Sequence, residues 1–169
     1  MRVGTGPVLA WHWLHDDRTM HCAQVHTDTH TRAHLDPVEV GWTYWVKGQI
    51  KLCEWGLHAS GDVLDAFQYA PGLVLCRVEM GGRIRKCHDK LVAETRTVLW
   101  MADMTAPVED WLKAVRPRPY WSTGTLQRAK YAIQRRSDPG HAQCCSSFRE
   151  MVRKAGVKAE RQAKKEWTW

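Results

Sequence analysis

The spacing of apolar residues changes once along this chain, and that change constrains the fold more than any other feature of the sequence. Up to about Trp100 the apolar residues come in short alternating runs, which are typical of strands. Beyond it they recur at helical spacing, as in Leu126, Ala129 and Ile133. The sequence therefore predicts an α+β fold, in which a small, mainly antiparallel β domain with one or two helices precedes a basic helical C-terminal tail.

Prolines mark the division between the two parts. The stretch Arg116-Pro117-Arg118-Pro119 is basic and stiff, because proline fixes its own φ and restricts the residue before it. We therefore expect an α+β domain over residues 1–115, a connector over residues 116–124 and a helical tail over residues 125–169.

Turn and cap residues predict the elements of the domain. Residues 38–53 are predicted to form a hairpin that turns at Lys47-Gly48. Ser60 is the expected N-cap of a helix that Pro71-Gly72 ends, and Gly81-Gly82 is expected to end the strand that follows.

Charge divides the chain at almost the same place as the apolar pattern. Residues 1–112 carry 11 basic and 14 acidic side chains, net −3, whereas residues 113–169 carry 14 basic and 4 acidic ones, net +10. A localised basic segment is typical of a protein whose partner is rich in phosphate or carboxylate. We expect a nucleic acid, an acidic protein or a nucleoprotein, and a merely solvated helix face is the alternative. The side chains expected to bind it are Arg128, Lys130, Arg135, Arg136, Arg149, Arg153, Lys154, Lys158, Arg161, Lys165, Trp121, Trp167 and Trp169.

Membrane and secreted classes are disfavoured. No apolar run approaches the roughly 18 residues that span a bilayer, and Asp16-Asp17 follows the first apolar stretch where a signal peptide would carry small residues. We expect no membrane partner and a cytoplasmic location. The six cysteines include no C-x-x-C pair, so they are expected to be free, buried thiols.

Histidine and tryptophan are both frequent. Six of the nine histidines lie between residues 12 and 34, and Cys22, His26 and His30 are each four apart, a spacing at which a helix could present zinc ligands. The threonines and aspartate around them favour a loop or strand, so we expect a solvated His-rich segment and no metal site. Seven of the ten tryptophans are expected in the core, namely Trp11, Trp13, Trp42, Trp45, Trp55, Trp100 and Trp111.

One set of motifs resembles a family of uncharacterised phage and prophage proteins. The likeness covers about residues 8–112 and includes WHWLHDD at 11–17, CEWGLHAS at 53–60, DAFQYAPG at 65–72, CRVE at 76–79, DKLVA at 89–93 and RTVLW at 96–100. The resemblance implies a phage or prophage origin but no activity. Small accessory proteins of such origin commonly act on host machinery or host defence. Together with the basic tail, the resemblance leads us to expect an accessory protein of the host bacterial cytoplasm that binds a host nucleic acid or nucleoprotein, as in counter-defence of the anti-CRISPR kind.

A second set of residues resembles the poly(ADP-ribose) polymerase-like ADP-ribosyltransferases. Trp11-His12, residues 56–59, Tyr69 and residues 76–81 follow the order and approximate spacing of that family's motifs, although Trp13 stands where the family has glycine.

That resemblance implies an enzyme that uses NAD. It makes His12 a ligand of a ribose hydroxyl, Tyr69 the ring stacked on nicotinamide, and Glu94 the carboxylate that stabilises an oxocarbenium-like transition state. The sequence thus leaves three hypotheses: a phage accessory protein without a cofactor, an NAD-dependent transferase, and a virion or assembly component.

Overall fold

An antiparallel sheet and helices packed on it make up the protein, which confirms the α+β class. The computed structural model describes residues 3–4, 6–20, 25–26, 31–32, 37–115, 124–134 and 140–166. The strands are β1 (Val3–Gly4), β2 (Val8–Leu14), β3 (Val25–His26), β4 (Thr31–Arg32), β5 (Thr43–Trp45), β6 (Leu57–Ala59), β7 (Val74–Cys87) and β8 (Lys90–Asp103). The helices are α1 (Val63–Gln68), α2 (Thr105–Val115), α3 (Thr125–Gln134) and α4 (His141–Glu166). None of these described helices has the length and apolarity needed to cross a membrane.

Two 14-residue strands, β7 and β8, form a long hairpin at the centre of the sheet. Gly81-Gly82 was expected to end a strand but lies inside β7, so that prediction is wrong. The glycines instead accommodate a register shift between Gly81 and Ile84, where Gly82 takes a φ of 69°. A second shift lies between Arg77 and Val78. Irregularities of this kind bend and twist a strand pair, so the hairpin curves.

The curvature brings together β2 and β6, the strands that flank the hairpin on its two sides. β2 pairs with β7 on one side of the hairpin, and β6 pairs with β8 on the other. Yet Trp11 N donates to Ser60 O at 2.8 Å, and Ser60 N donates to Trp11 O at 3.0 Å. β2, β7, β8 and β6 therefore form a closed ring, and we call the Trp11 and Ser60 pair its junction.

The two faces of the sheet bury separate apolar clusters. Side chains alternate along a strand, so Ala10 and Cys76 join one cluster, whereas Trp13 and Leu75 join the other. The second cluster also contains buried residues from all four described helices. The helices thus cover one face of the sheet.

Aromatic contacts hold α4 against the rest of the fold. Phe148 is fully buried, with its ring centroid 4.8 Å from that of Phe67 and 5.1 Å from that of Trp111. Farther along α4, Gly156 lies so close to Trp100 that an added Cβ would be 3.0 Å from the indole ring. The C-terminal helix is therefore packed on the sheet along one of its faces.

Tertiary pairing overrides two further local predictions. The hairpin predicted over residues 38–53 is wrong, because only β5 forms there and it pairs with β8, where buried Tyr44 joins the core. The expected cap at Ser60 is also wrong, since Ser60 belongs to the junction. Asp62 caps α1 instead, and its carboxylate accepts from Leu64 N at 2.8 Å.

The described cysteines differ in exposure. Cys76 is fully buried, and burial raises the pKa of its thiol to about 12. Cys53 and Cys87 are exposed, so the expectation of buried thiols is wrong for them, because both lie at turns beyond the apolar core. Cys144 and Cys145 are partly buried, and Cys22 lies outside the described residues.

The close approach of α4 to Trp100 predicts a specific loss of stability. We expect Gly156→Leu to lower the free energy of unfolding by about 1–3 kcal/mol, because the larger side chain overpacks the contact. Val157→Leu, at the exposed neighbouring position, should change it by less than about 0.5 kcal/mol. Urea denaturation measures both values, and equal effects would contradict this packing of α4.

Candidate functional site

A cavity of about 340 Å³ opens beside the junction. Small-molecule sites typically have volumes of about 300–1,000 Å³, apolar walls and a few convergent polar groups. Apolar walls here include Trp11, Trp13 and Leu57. The polar side chains that line the cavity are His12, Thr19, Cys53, His58, Ser60, Tyr69, Lys90 and Arg96. We refer to this feature as the junction cavity.

His12 is held in its neutral form. Desolvation lowers the pKa of His12 well below its ordinary value, and the nearby charges of Arg96 and His58 lower it further. Within the described residues, no side chain or backbone group hydrogen-bonds its ring. A neutral imidazole has one donor and one acceptor nitrogen, so His12 can offer both to a ligand.

Arg96 and His58 lie beside His12 and are linked to each other. Arg96 is 3% exposed, and its Nη1 donates to the carbonyl oxygen of His58 at 3.1 Å. The backbone N–H of Cys53 donates to His58 Nε2 at 3.0 Å, so the proton of a neutral ring lies on Nδ1. Desolvation, and then the charge of Arg96, lower the pKa of His58. The junction cavity therefore combines a buried cation with two neutral imidazoles.

Trp13 contributes a second polar group without a partner. Its side chain is 2% exposed and lines the junction cavity. Among the described residues nothing accepts a hydrogen bond from its Nε1. A buried N–H that lacks an acceptor costs free energy, so a ligand that supplied one would be favoured.

A small network surrounds Tyr69, which is 49% exposed and also lines the junction cavity. Its hydroxyl donates to Asp89, and this hydrogen bond raises the pKa of Tyr69. Lys90 Nζ lies 3.6 Å from the centroid of the Tyr69 ring and 3.8 Å from Cys53 Sγ. Because Lys90 covers one face of the ring, stacking on a flat ligand would have to use the other face.

Glu94 lies apart from the junction cavity. Its carboxylate accepts from the backbone N of Arg83 at 2.8 Å and from Arg83 Nε at 2.5 Å, and these contacts lower the pKa of Glu94. It is also packed against Gly82, where an added Cβ would lie 2.8 Å from Oε2. The structure thus brings His12 and Tyr69 to one cavity but leaves Glu94 at the bulge of β7. None of the described residues that line the cavity is acidic.

Several cations predicted to bind a partner are engaged within the fold. Arg149 lies 3.1 Å from Asp62, and Arg153 lies 2.7 Å from Glu150. Lys154 lies 3.8 Å from the same Glu150. These exposed ion pairs contribute little to stability but reduce the local positive charge.

Lys130 is part of the fold as well. Its Nζ donates to the carbonyl oxygen of Ala70 at 2.7 Å, and desolvation lowers the pKa of Lys130. It therefore ties α3 to the end of α1. Arg128, on the same helix, is exposed.

The outward face of α4 keeps a row of exposed cations. The row, which we call the basic stripe, consists of Lys154, Lys158, Arg161 and Lys165. Their spacing of three or four residues places them on one side of the helix. In the described part of the chain, no carboxylate pairs with Lys158 or Arg161.

Most of the remaining predicted site residues lie outside the part of the chain that the structure describes. Trp121, Arg135, Arg136, Trp167, Trp169, Cys22 and His30 lie outside the described residues, and His26 belongs to β3. No group of three potential metal ligands occurs among the residues described.

Sequence reasoning missed Arg96 as a site residue. Arg96 lies on the same inward-facing side of β8 as Val92 and Val98, which are both buried. A charged residue at an inward position of an otherwise apolar strand is the signal that identifies it, because such a charge needs partners that the strand alone does not supply.

Comparison with known proteins yields one match. A family model described as a domain of unknown function, DUF7666, matches residues 17–109, more than half of the chain. The matched segment contains His58, Tyr69 and Arg96 and begins after His12. No curated protein and no solved structure matches the chain.

The lowered pKa values of His12 and His58 predict how stability depends on pH. The unfolded chain titrates histidine near 6.5, whereas the folded state binds these protons only at lower pH. The unfolded state therefore gains protons first as the pH falls below 6.5, so acid lowers the free energy of unfolding.

We expect His12→Gln to flatten this pH dependence. The slope attributable to His12 is at most about 1.4 kcal/mol per pH unit, and it should disappear from urea-unfolding curves measured below pH 6.5. His88→Gln, which removes an exposed ring that does not line the junction cavity, is the matched control for the loss of a histidine. A His12→Gln slope equal to that of the wild type would show that His12 is not held neutral.

Proposed function

The chain belongs to the DUF7666 family, and for this domain of unknown function we propose that the junction cavity binds an ADP-ribose-containing nucleotide, with NAD as the candidate. The proposal depends on one observation. Within the described residues, the same apolar cavity is lined by His12, a neutral imidazole with no hydrogen-bond partner, by Trp13, whose indole N–H has no acceptor, and by the buried guanidinium of Arg96. Those groups suit a ligand with flat rings, hydroxyls and anionic oxygens.

Each part of such a ligand has a counterpart. The His12 ring would donate to one hydroxyl of a ribose and accept from another. The face of the Tyr69 ring that Lys90 does not cover offers flat contact to a base, and Trp11 and Leu57 add apolar wall. Lys90 and Arg96 attract phosphate oxygens, and guanidinium does so with two parallel hydrogen bonds.

We propose binding without group transfer. Transfer of ADP-ribose develops positive charge on the sugar, and a nearby carboxylate is the usual means of stabilising it. The described lining of the junction cavity has no carboxylate, and Glu94 is paired with Arg83. NAD would thus be a ligand that the domain senses or sequesters, with its glycosidic bond intact.

Calorimetric titration with NAD and with ADP-ribose tests this proposal. We expect binding that His12→Gln weakens about tenfold, because a lost hydrogen bond in a buried site costs about 1–3 kcal/mol. His88→Gln is the matched control and should bind as the wild type does. Absence of binding would refute the proposal, and release of nicotinamide during incubation would refute the claim that no transfer occurs.

As a second function we propose that the basic stripe binds a polyanion, of which nucleic acid is the main candidate. The observation that favours it is the exposure of Lys158 and Arg161, which pair with no carboxylate of the described residues, on the outward face of a helix that is packed on the sheet. Through such contacts a phage-encoded accessory protein would engage a host nucleic acid or nucleoprotein.

Charge reversal tests the second function. We expect Lys158→Glu with Arg161→Glu to abolish binding to fluorescently labelled duplex DNA or single-stranded RNA, because removing a cation that neutralises a phosphate lowers the affinity and its salt dependence. Arg85→Glu with Lys86→Glu makes the same change of charge on β7, away from the basic stripe, and should cause a smaller loss. Equal losses in the two double variants would indicate that only net charge matters.

A further inference from the structure

A second, larger hollow lies between α4 and the sheet. It has a volume of about 790 Å³ and runs along β2, β7, β8 and the part of α4 from Arg149 to Lys164. Its walls are largely apolar and include Leu9, Leu99, Val157 and Ala163. Leu9 and Val157 are 51% and 40% exposed, so the hollow presents large aliphatic side chains to solvent. We call this feature the helix groove.

Arg77 lies in the wall of the helix groove. Its guanidinium carbon is 4.4 Å from the centroid of the Trp11 ring, so the charge rests on an aromatic face. Desolvation lowers the pKa of Arg77, although a guanidinium stays protonated in water at any ordinary pH. The helix groove therefore contains a permanent, partly desolvated positive charge.

The other cations of the helix groove have carboxylate partners. Arg149 pairs with Asp62, and Arg153 pairs with Glu150. Lys164 lies 2.8 Å from Glu160.

Arg77 differs from all three. Its guanidinium has no hydrogen bond or ion pair with any residue in the described ranges. A charge that is partly removed from water and lacks a counter-ion is costly, and an anion bound beside it would repay that cost. The helix groove therefore combines an apolar channel with one guanidinium, that of Arg77, which has no counter-ion among the described residues.

We propose that the helix groove binds a single-chain amphiphile with a carboxylate head group, of the fatty-acid type. The carboxylate would accept two parallel hydrogen bonds from Arg77, for which the fork of a guanidinium is suited. The hydrocarbon chain would lie against Leu9, Leu99 and Val157 and remove them from water. About 0.8 kcal/mol is gained for each methylene group buried in this way, so affinity should rise with chain length.

A small amphiphile suits the helix groove better than a protein segment. The volume of about 790 Å³ falls within the range of about 300–1,000 Å³ found for small-molecule sites. Arg77 can pair with a single anionic group at one position in the groove. An acidic peptide, by contrast, would bring several carboxylates next to Asp62 and Glu160. This proposal does not depend on nucleotide binding in the junction cavity.

Titration calorimetry with decanoate, below its micellar concentration, tests the proposal. We expect saturable binding that is at least tenfold tighter than that of decanol, because only the carboxylate pairs with Arg77. Arg77→Gln should remove this preference for the acid, and Arg85→Gln, a change of the same kind on the same strand, should preserve it. Equal affinity for acid and alcohol, or no binding at all, would overturn the proposal.

A second variant separates binding from folding. Val157→Glu places a carboxylate on the exposed wall of the groove and should abolish decanoate binding while the melting temperature changes little. Undiminished binding by a folded Val157→Glu protein would locate the amphiphile elsewhere and overturn the proposal. So would displacement of decanoate by an acidic peptide of higher affinity at the same site.

Discussion

Two backbone hydrogen bonds between Trp11 and Ser60 join strands that the rest of the sheet holds on opposite sides of the β7 and β8 hairpin. Each bond contributes only about 0.5–1.5 kcal/mol on its own, but their geometric effect is large. They bring His12 of β2 next to His58 of β6, with Arg96 of β8 buried beside them. The junction cavity follows from this closure, which in turn requires the bulges that bend the hairpin.

The packing of α4 is the second constraint on the molecule. Buried Phe148 fixes the helix to Phe67 and Trp111, so one face of α4 is committed to the core and the basic stripe points outward. The part of the helix from Arg149 to Lys164 stands over the sheet and encloses the helix groove. Trp11 lines both the junction cavity and the helix groove. A ligand that moved this indole would therefore couple the two proposed sites.

The fold class and the helices were predictable, because the helical spacing around Ala129 and Phe148 is a local signal. Predictions failed where distant pairing decided the outcome, as at Ser60, which joins the junction, and at Gly81-Gly82, which bends a continuing strand. His12 and Tyr69, which the resemblance to ADP-ribosyltransferases groups in one site, both line the junction cavity. Chain order could not reveal that Arg83 holds Glu94 across a bulge, or that Arg96 lies beside the two histidines.

Nuclear magnetic resonance of the tryptophan side chains tests the central claim most directly. Trp13 lines the junction cavity, and its Nε1–H has no acceptor among the described residues, so its indole signal, assigned with Trp13→Phe, should respond to a ligand bound there. On titration with ADP-ribose we predict that this signal shifts downfield and saturates together with the calorimetric binding curve, because the ligand supplies the missing acceptor. Two results would contradict the account. One is a Trp13 signal that stays fixed while ADP-ribose binds, and the other is the absence of any ADP-ribose binding.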